Sequence, residues 1–350
     1  MEKNSLVQVF GTIGIRKERA GLARLSLAQR LLCSAALLVP FASCVSPATE
    51  QDIRTAEAAV SEENWVRAAE LWYEIHQSEP KKTERSYLET ARALFESGQV
   101  ESSCAMLREA ESKYPRSAKV LALHGSILEH KRFSRAAEGM YANWVKLEPE
   151  SVDAQLALGR IRLDLGWEYA ALEPLKAASR LNPNSIDAEV CLARLWAANG
   201  QPHMAFPHFV RAVELGANDP RFLTEGAEVA LSEGATATGS SAMEFGFQWA
   251  DRVTAAQPQN TLAHYLRGVH LQSLGRNPEA IEAFVRSAET DPGCLPSLIR
   301  LISLYRESGE AGRAQQMLDR ALMVESDPNA RERLRALLSE EVASAGLTPK

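Results

Sequence analysis

Residues 261–294 read TLAHYLRGVHLQSLGRNPEAIEAFVRSAETDPGC, and this stretch decides the fold. Gly268 is small, Gly275 breaks the run, Ala280 and Phe284 follow four apart, and Asp291-Pro292 closes it. The same features recur along the chain in a frame of 34 residues. A small residue returns at Ala68, Ser103, Ala137, Ala171, Ala205, Gly246, Ala280 and Ala314. Proline returns at Pro80, Pro115, Pro149, Pro183, Pro258 and Pro292. A period of this length means stacked helical hairpins, each burying its apolar face on the next, and not one closed core.

Each preference has a physical cause. With each unit numbered 1 to 34, position 8 is mostly small (Ala56, Ala91, Gly125, Gly159, Ala193, Ala227 and Gly268). Two antiparallel helices, A and B, approach closely only where side chains are small. Position 24 is mostly bulky (Trp72, Leu107, Tyr141, Leu175, Phe209, Phe284 and Leu318) and should fill the space between hairpins. Position 15 is glycine at Gly98, Gly166, Gly200, Gly234, Gly275 and Gly309, the left-handed residue expected to end helix A. The later proline stops helix B.

These residues resemble the tetratricopeptide repeat. The resemblance implies an all-α, right-handed α-solenoid of about eight helix-turn-helix hairpins over residues 51–328. Two departures stand out. Seven extra residues, 235–241, separate the helices of repeat six and should form a polar surface loop. Residues 329–350 should form a charged, amphipathic C-terminal capping helix and tail.

The N-terminus reads as an address and an anchor. Residues 1–43 hold six basic and two acidic residues, a net +4 that leaves −10 for the rest of a chain of formal charge −6. A basic stretch ends at Arg30, and an apolar run follows from Leu31 to Ala42, the length of a signal core and too short to span a bilayer. It closes with Phe41-Ala42-Ser43-Cys44, which resembles a bacterial lipobox with Phe in place of the usual Leu. The resemblance implies cleavage before Cys44, a lipid on its sulfur, a tether over residues 44–50 and residence at the periplasmic face of an outer membrane. An ordinary secretory signal and an organellar transit peptide are the alternatives. The acidic body argues against nucleic acid as a partner, which requires a basic face.

Beyond the leader, Cys104, Cys191 and Cys294 fall three repeats apart, too far to pair, and are expected to be free and mostly buried. No cysteine or histidine spacing suggests a metal site, and no cofactor is expected. The six tryptophans fall mostly at core positions or turns, and Trp167, just past a turn glycine, is the best exception.

In the repeat family, helix A lines a concave groove through positions 2, 5, 6, 9, 12 and 13. Here the resemblance places Lys119, Arg160 and Arg194 with Asp153, Asp164 and Asp187 in a mixed-charge centre. It places Tyr265, Leu266, Val269, Arg300 and Arg306 in a more apolar C-terminal part. Arg160 and Arg194 share position 9, so they either meet acidic groups of a partner or pair with nearby acids such as Asp153 and Asp187. The clamp of Lys and Asn that some relatives aim at a terminal carboxylate is replaced by Ala122, Ser126, Ala157 and Arg160.

Catalytic signatures are missing: there is no phosphate-binding glycine loop, no Gly-x-Ser-x-Gly elbow and no His-Glu-x-x-His helix. The expectation is a non-enzymatic, membrane-tethered protein-interaction scaffold, similar to the repeat lipoproteins that assist assembly of type IV pilus secretins. The alternative is a peptide- or glycan-binding module, or an adaptor for cell-wall or exopolysaccharide enzymes. An apolar groove around Tyr265 would favour a small ligand, and a polar, self-paired groove would favour scaffolding.

Overall fold

A computed structural model describes residues 48–79, 81–234 and 239–337. The leader, Cys44 and the tail beyond 337 lie outside them. The described residues form seventeen helices and no strand. They fall into two compact units that divide between Leu107 and Arg108.

The first unit holds α1 (Glu50–Ser61), α2 (Trp65–Ser78), α3 (Glu84–Glu96) and the start of α4 (Val100–Lys113). Its core joins Ala56, Ala68, Ala69, Trp72, Ile75, Ala93 and Leu94. Thr90 Oγ1 donates to the Trp72 carbonyl (3.0 Å) and Ser103 Oγ to the Ala91 carbonyl (2.6 Å). These bonds satisfy buried hydroxyls where helices meet closely.

The second unit continues with α5 (Ala118–His130), α6 (Ser134–Leu147), α7 (Val152–Asp164), α8 (Glu168–Leu181), α9 (Ile186–Ala198) and α10 (Pro202–Glu214). It ends with α11 (Pro220–Gly234), α12 (Gly239–Ala256), α13 (Thr261–Ser273), α14 (Asn277–Thr290), α15 (Leu295–Glu307), α16 (Ala311–Val324) and α17 (Pro328–Ala336). Each helix packs chiefly on the one before and the one after. The A helices also touch across repeats, α7 on α9 and α11 on α13, which makes an inner layer. The unit is a helical-repeat solenoid.

The small-large pairing sits within each hairpin as well as between hairpins. A Cβ built on Gly125 would meet Tyr141 at 2.4 Å, on Gly159 would meet Leu175 at 2.4 Å, and on Gly268 would meet Phe284 at 2.6 Å. Position 24 thus rests on position 8 of its own repeat. Phe209 additionally stacks on Phe222 of the next repeat, with ring centroids 4.6 Å apart.

Gly98, Gly166, Gly200, Gly275 and Gly309 are left-handed, as the frame requires, and Arg132 (φ +62°) takes that role in repeat three. Gly234 does not; α11 runs through it with ordinary helical backbone. The expected loop 235–241 is corrected in part. Residues 239–241 belong to α12, which at 18 residues is longer than the other B helices, so helix absorbs part of the insertion. Residues 235–238 lie outside the described part.

The capping helix α17 starts at Pro328, with Asp327 accepting from the Asn329 and Ala330 amides. It buries Leu334 in the last core cluster beside Leu298, Leu301 and Leu318.

Candidate functional site

The A helices of repeats three to six present the polar face that the repeat frame assigns to the groove. All four are started by a side-chain cap: Ser117 for α5, Ser151 for α7, Ser185 for α9 and Asp219 for α11. Each cap accepts an orphan amide of its helix. These caps recur every 34 residues, so the starts of the groove helices are also written in the sequence.

Two cation-carboxylate pairs organise the groove. Arg160 on α7 meets Glu129 on α5 at 3.1 Å, and the Tyr141 hydroxyl donates to the same carboxylate at 2.8 Å. Arg194 on α9 meets Glu225 on α11 through two nitrogens, Nε at 2.8 Å and Nη2 at 3.2 Å. Its guanidinium also lies over the Phe222 ring, 5.7 Å from the centroid. The two arginines are therefore paired with the neighbouring repeats, as one of the two sequence readings held. Their partners are Glu129 and Glu225, not Asp153 or Asp187. Asp153 and Asp187 lie seven residues before Arg160 and Arg194, about two turns away on the same helices.

Open clefts lie over both pairs. One, of about 650 Å³, is lined by Ser126, Glu129, His130, Arg132, Arg160 and Asp164. The other, of about 610 Å³, is lined by Arg194, Ala197, Gly200, Glu225, Glu228 and Ser232, among others. Burial, then the nearby Glu129 charge, raises the Asp164 carboxyl above its usual value, while Arg160 and Arg132 pull it back. Burial and Glu225 raise Glu228 in the same way. Cys191 sits in the field of both arginines, yet burial outweighs them and pushes its thiol up to about 11.

The remaining sequence candidates do not join this centre. Lys119 is exposed at the start of α5. Arg300 is half-buried and reaches Gln272 Oε1 at 3.4 Å. Val269, expected to face the groove, is 8% exposed and belongs to the core with Leu271, Phe284 and Leu301. Leu266 is also buried. Tyr265 is half-buried with its ring 5.9 Å from Phe284. Leu231, Phe247 and Tyr265 are partly buried against the same cluster, so much of the apolar surface expected in the groove belongs to the core.

Cys104 is buried, Cys191 and Cys294 are half-buried, and all three are free. Among the described residues no group of three or more His, Cys, Asp or Glu could hold a metal, and no helix is long and apolar enough to cross a membrane. Trp72 and Trp249 are core residues, while Trp167 is 41% exposed.

No protein-family model and no curated protein matches this chain. Several solved structures are similar to parts of it. YrrB, titled a TPR protein with an unusual peptide-binding site, is 19% identical over 55% of this chain and 95% of its own, with a TM-score of 0.48. A tetratricopeptide repeat protein from Parabacteroides merdae is 15% identical over 73% of this chain and 98% of its own, at 0.46. PilF of Pseudomonas aeruginosa is 18% identical over 55% of this chain and 84% of its own, at 0.40. At these values none of them bears on function. The 34-residue frame and the hairpin packing define the class: the described residues form an all-α helical-repeat solenoid whose frame resembles the tetratricopeptide repeat.

Proposed function

We propose that the chain is a non-enzymatic protein-interaction scaffold whose central groove, over α5 to α11, binds an extended segment of a protein partner. A lipid on Cys44 would hold it at the periplasmic face of an outer membrane, where it assists assembly of an envelope complex of the pilus or secretin kind. Confinement to a surface raises its effective concentration near membrane-bound partners.

The observation that carries the reading is the repeated pair at frame position 9. Arg160 and Arg194 are each held by a carboxylate of an adjacent repeat, beneath open clefts. The guanidiniums are already oriented and stay reachable, with side chains 56% and 47% exposed. A polar, self-paired groove suits a partner protein better than a small apolar ligand, and the partly buried surface around Tyr265 and Val269 weakens the main support for the latter.

The test is co-purification of the native protein from crosslinked, detergent-solubilised envelopes, read by mass spectrometry. Recovery of pilus or secretin components supports the reading, and recovery of wall or polysaccharide enzymes moves it to the adaptor alternative. A chain carrying Arg160→Glu and Arg194→Glu should keep its helical circular dichroism and lose the partner. Undiminished recovery would show that the central groove is not the site.

A further inference from the structure

We propose that the hairpin-turn edge of repeats three and four is a second binding surface, one that takes an acidic protein segment carrying a large apolar side chain. A cleft of about 490 Å³ opens there, lined by Arg132, Phe133, Ser134, Arg135, Ala136 and Leu165. Its wall is apolar through Phe133, Ala136 and Leu165, and its rim carries two guanidiniums. The cleft is shallow and open to solvent, a surface on which one large side chain can lie.

Three observations set this edge apart. Frame position 16 begins helix B, and in repeats three and four it is Phe133 and Trp167, 54% and 41% exposed. The same place holds Gln99, Gln201, Arg276 and Glu310 in other repeats. Neither aromatic caps its helix through a hydrogen bond. Lys131 Nζ lies over the Phe133 ring, 5.3 Å from its centroid, yet the ring stays 54% exposed, and Tyr169, in the first turn of α8, is 91% exposed. An exposed large apolar side chain at a cleft is a common anchor point of interfaces.

The second observation is charge. Residues 130–135 read His-Lys-Arg-Phe-Ser-Arg, with three fixed positive charges and no carboxylate, in a chain of net −6. Of the nearby acids, Glu138 holds Arg162 at 2.8 Å, while Asp164 lines the groove cleft together with Arg132 and Arg160 and sits in the field of both. Glu168 remains in the repeat-four turn. An acidic partner is drawn to this basic edge and repelled by the rest of the surface, which fixes its position. The third observation is the backbone. Arg132 is left-handed at φ +62°, where five other repeats use glycine and repeat one uses Glu63 at φ +54°. That choice costs conformational energy and places a guanidinium at the cleft rim.

A protein segment is favoured over a lipid surface because the cleft accepts one side chain and the surrounding body is acidic. The probe is a fluorescein-labelled peptide of Asp and Glu around one Phe, titrated by anisotropy against the full chain. Controls replace its Phe by Ser or its acids by Lys. The Phe-containing acidic peptide should bind, the Ser version about tenfold more weakly, and the Lys version not at all. Phe133→Ala and Arg135→Glu should each weaken binding about tenfold, with Phe133→Leu retaining most of it. Both sites are exposed, so folding should survive, and circular dichroism checks it. The groove variant Arg194→Glu, whose cleft shares no lining residue with this one, should bind the peptide normally, which separates this proposal from the preceding one. Equal binding of all three peptides, or indifference to Phe133→Ala and Arg135→Glu, overturns it. So does either alternative occupant: phosphatidylglycerol vesicles bound through Phe133 and Trp167 without peptide binding, or self-association abolished by Phe133→Ala without peptide binding.

Discussion

Gly268→Ala and Gly139→Ala make the same chemical change in two helices and should have opposite effects. Gly139 lies inside α6, and a Cβ there meets nothing within 4 Å. Alanine should stabilise that helix by about 0.5–1 kcal/mol, the usual helical advantage over glycine. At Gly268, in α13, the new Cβ would stand 2.6 Å from Phe284 Cε1, 2.7 Å from Cδ1 and 2.9 Å from Cζ. Phe284 is fully buried among Ala280, Ala283, Leu298 and Leu301, so the ring has nowhere to move. Overpacking of this kind costs about 1–3 kcal/mol. The helical gain is common to both variants, so their difference isolates the packing cost. Urea unfolding followed by circular dichroism, with hydrogen exchange at α13 and α14 to localise the change, reads that difference. A repeat array need not unfold in one step, which makes the local readout the decisive one. Equal stability of the two variants would refute the reasoning that small residues at position 8 exist to seat the ring at position 24.

Three further outcomes follow from buried polar groups. Arg162→Ala should destabilise the second unit by about 1–2 kcal/mol, because its guanidinium is mostly buried and joins Glu138 (2.8 and 2.9 Å) to the Ala170 carbonyl (2.9 Å). Lysine should not restore the loss in urea unfolding, since it has no planar fork. Cys191, with its thiol pushed up to about 11 chiefly by burial, should react with iodoacetamide at pH 8 at least about tenfold more slowly than a free thiol in a model peptide. Peptide mass mapping over time checks it, and equal rates would contradict the burial argument. His270 is buried, with Nε2 bonded to the Ala227 carbonyl at 3.0 Å, and burial lowers its pKa to about 4. The unfolded imidazole takes its proton near pH 6.5, before the folded one. Stability should therefore fall as pH drops from about 6.5 to about 4, by up to about 3 kcal/mol, and His270→Gln should flatten that slope in urea midpoints.

The repeat frame was legible because its causes are local. A left-handed glycine, a small residue under a ring and a helix-stopping proline each write one residue type at one place, and the chain copies them every 34 residues. The caps Ser117, Ser151, Ser185 and Asp219 were equally legible and passed over. Val269 was not legible. Its frame position gives a direction, while its burial depends on the size of Leu231 and Phe247 on helices that the insertion separates. The partners of Arg160 and Arg194 were hidden for a related reason. Reach across repeats depends on how far α7 and α9 slide past their neighbours, and Glu129 and Glu225 lie at different frame positions. The turn-edge cleft needed three dimensions, although Trp167 alone had marked its place.

The two kinds of arginine pair in this protein serve different ends, and exposure tells them apart. Arg162 and Glu138 are 23% and 17% exposed, so breaking that pair strands a charge away from water. Arg194 and Glu225 are 47% and 41% exposed, and a pair so open to solvent contributes about 0–1 kcal/mol to folding. Arg160 is 56% exposed, and its partner Glu129, 24% exposed, keeps the Tyr141 hydroxyl bond when the arginine leaves. Loss of these two pairs costs the fold little, and their presence holds two guanidiniums in fixed directions over open clefts. A partner carboxylate can take over such a contact at small cost, because the internal pair surrenders little when it opens and the arginine is already oriented. Stability is thus carried by the ring-on-glycine contacts and the buried Arg162, which leaves the position-9 stripe available for binding.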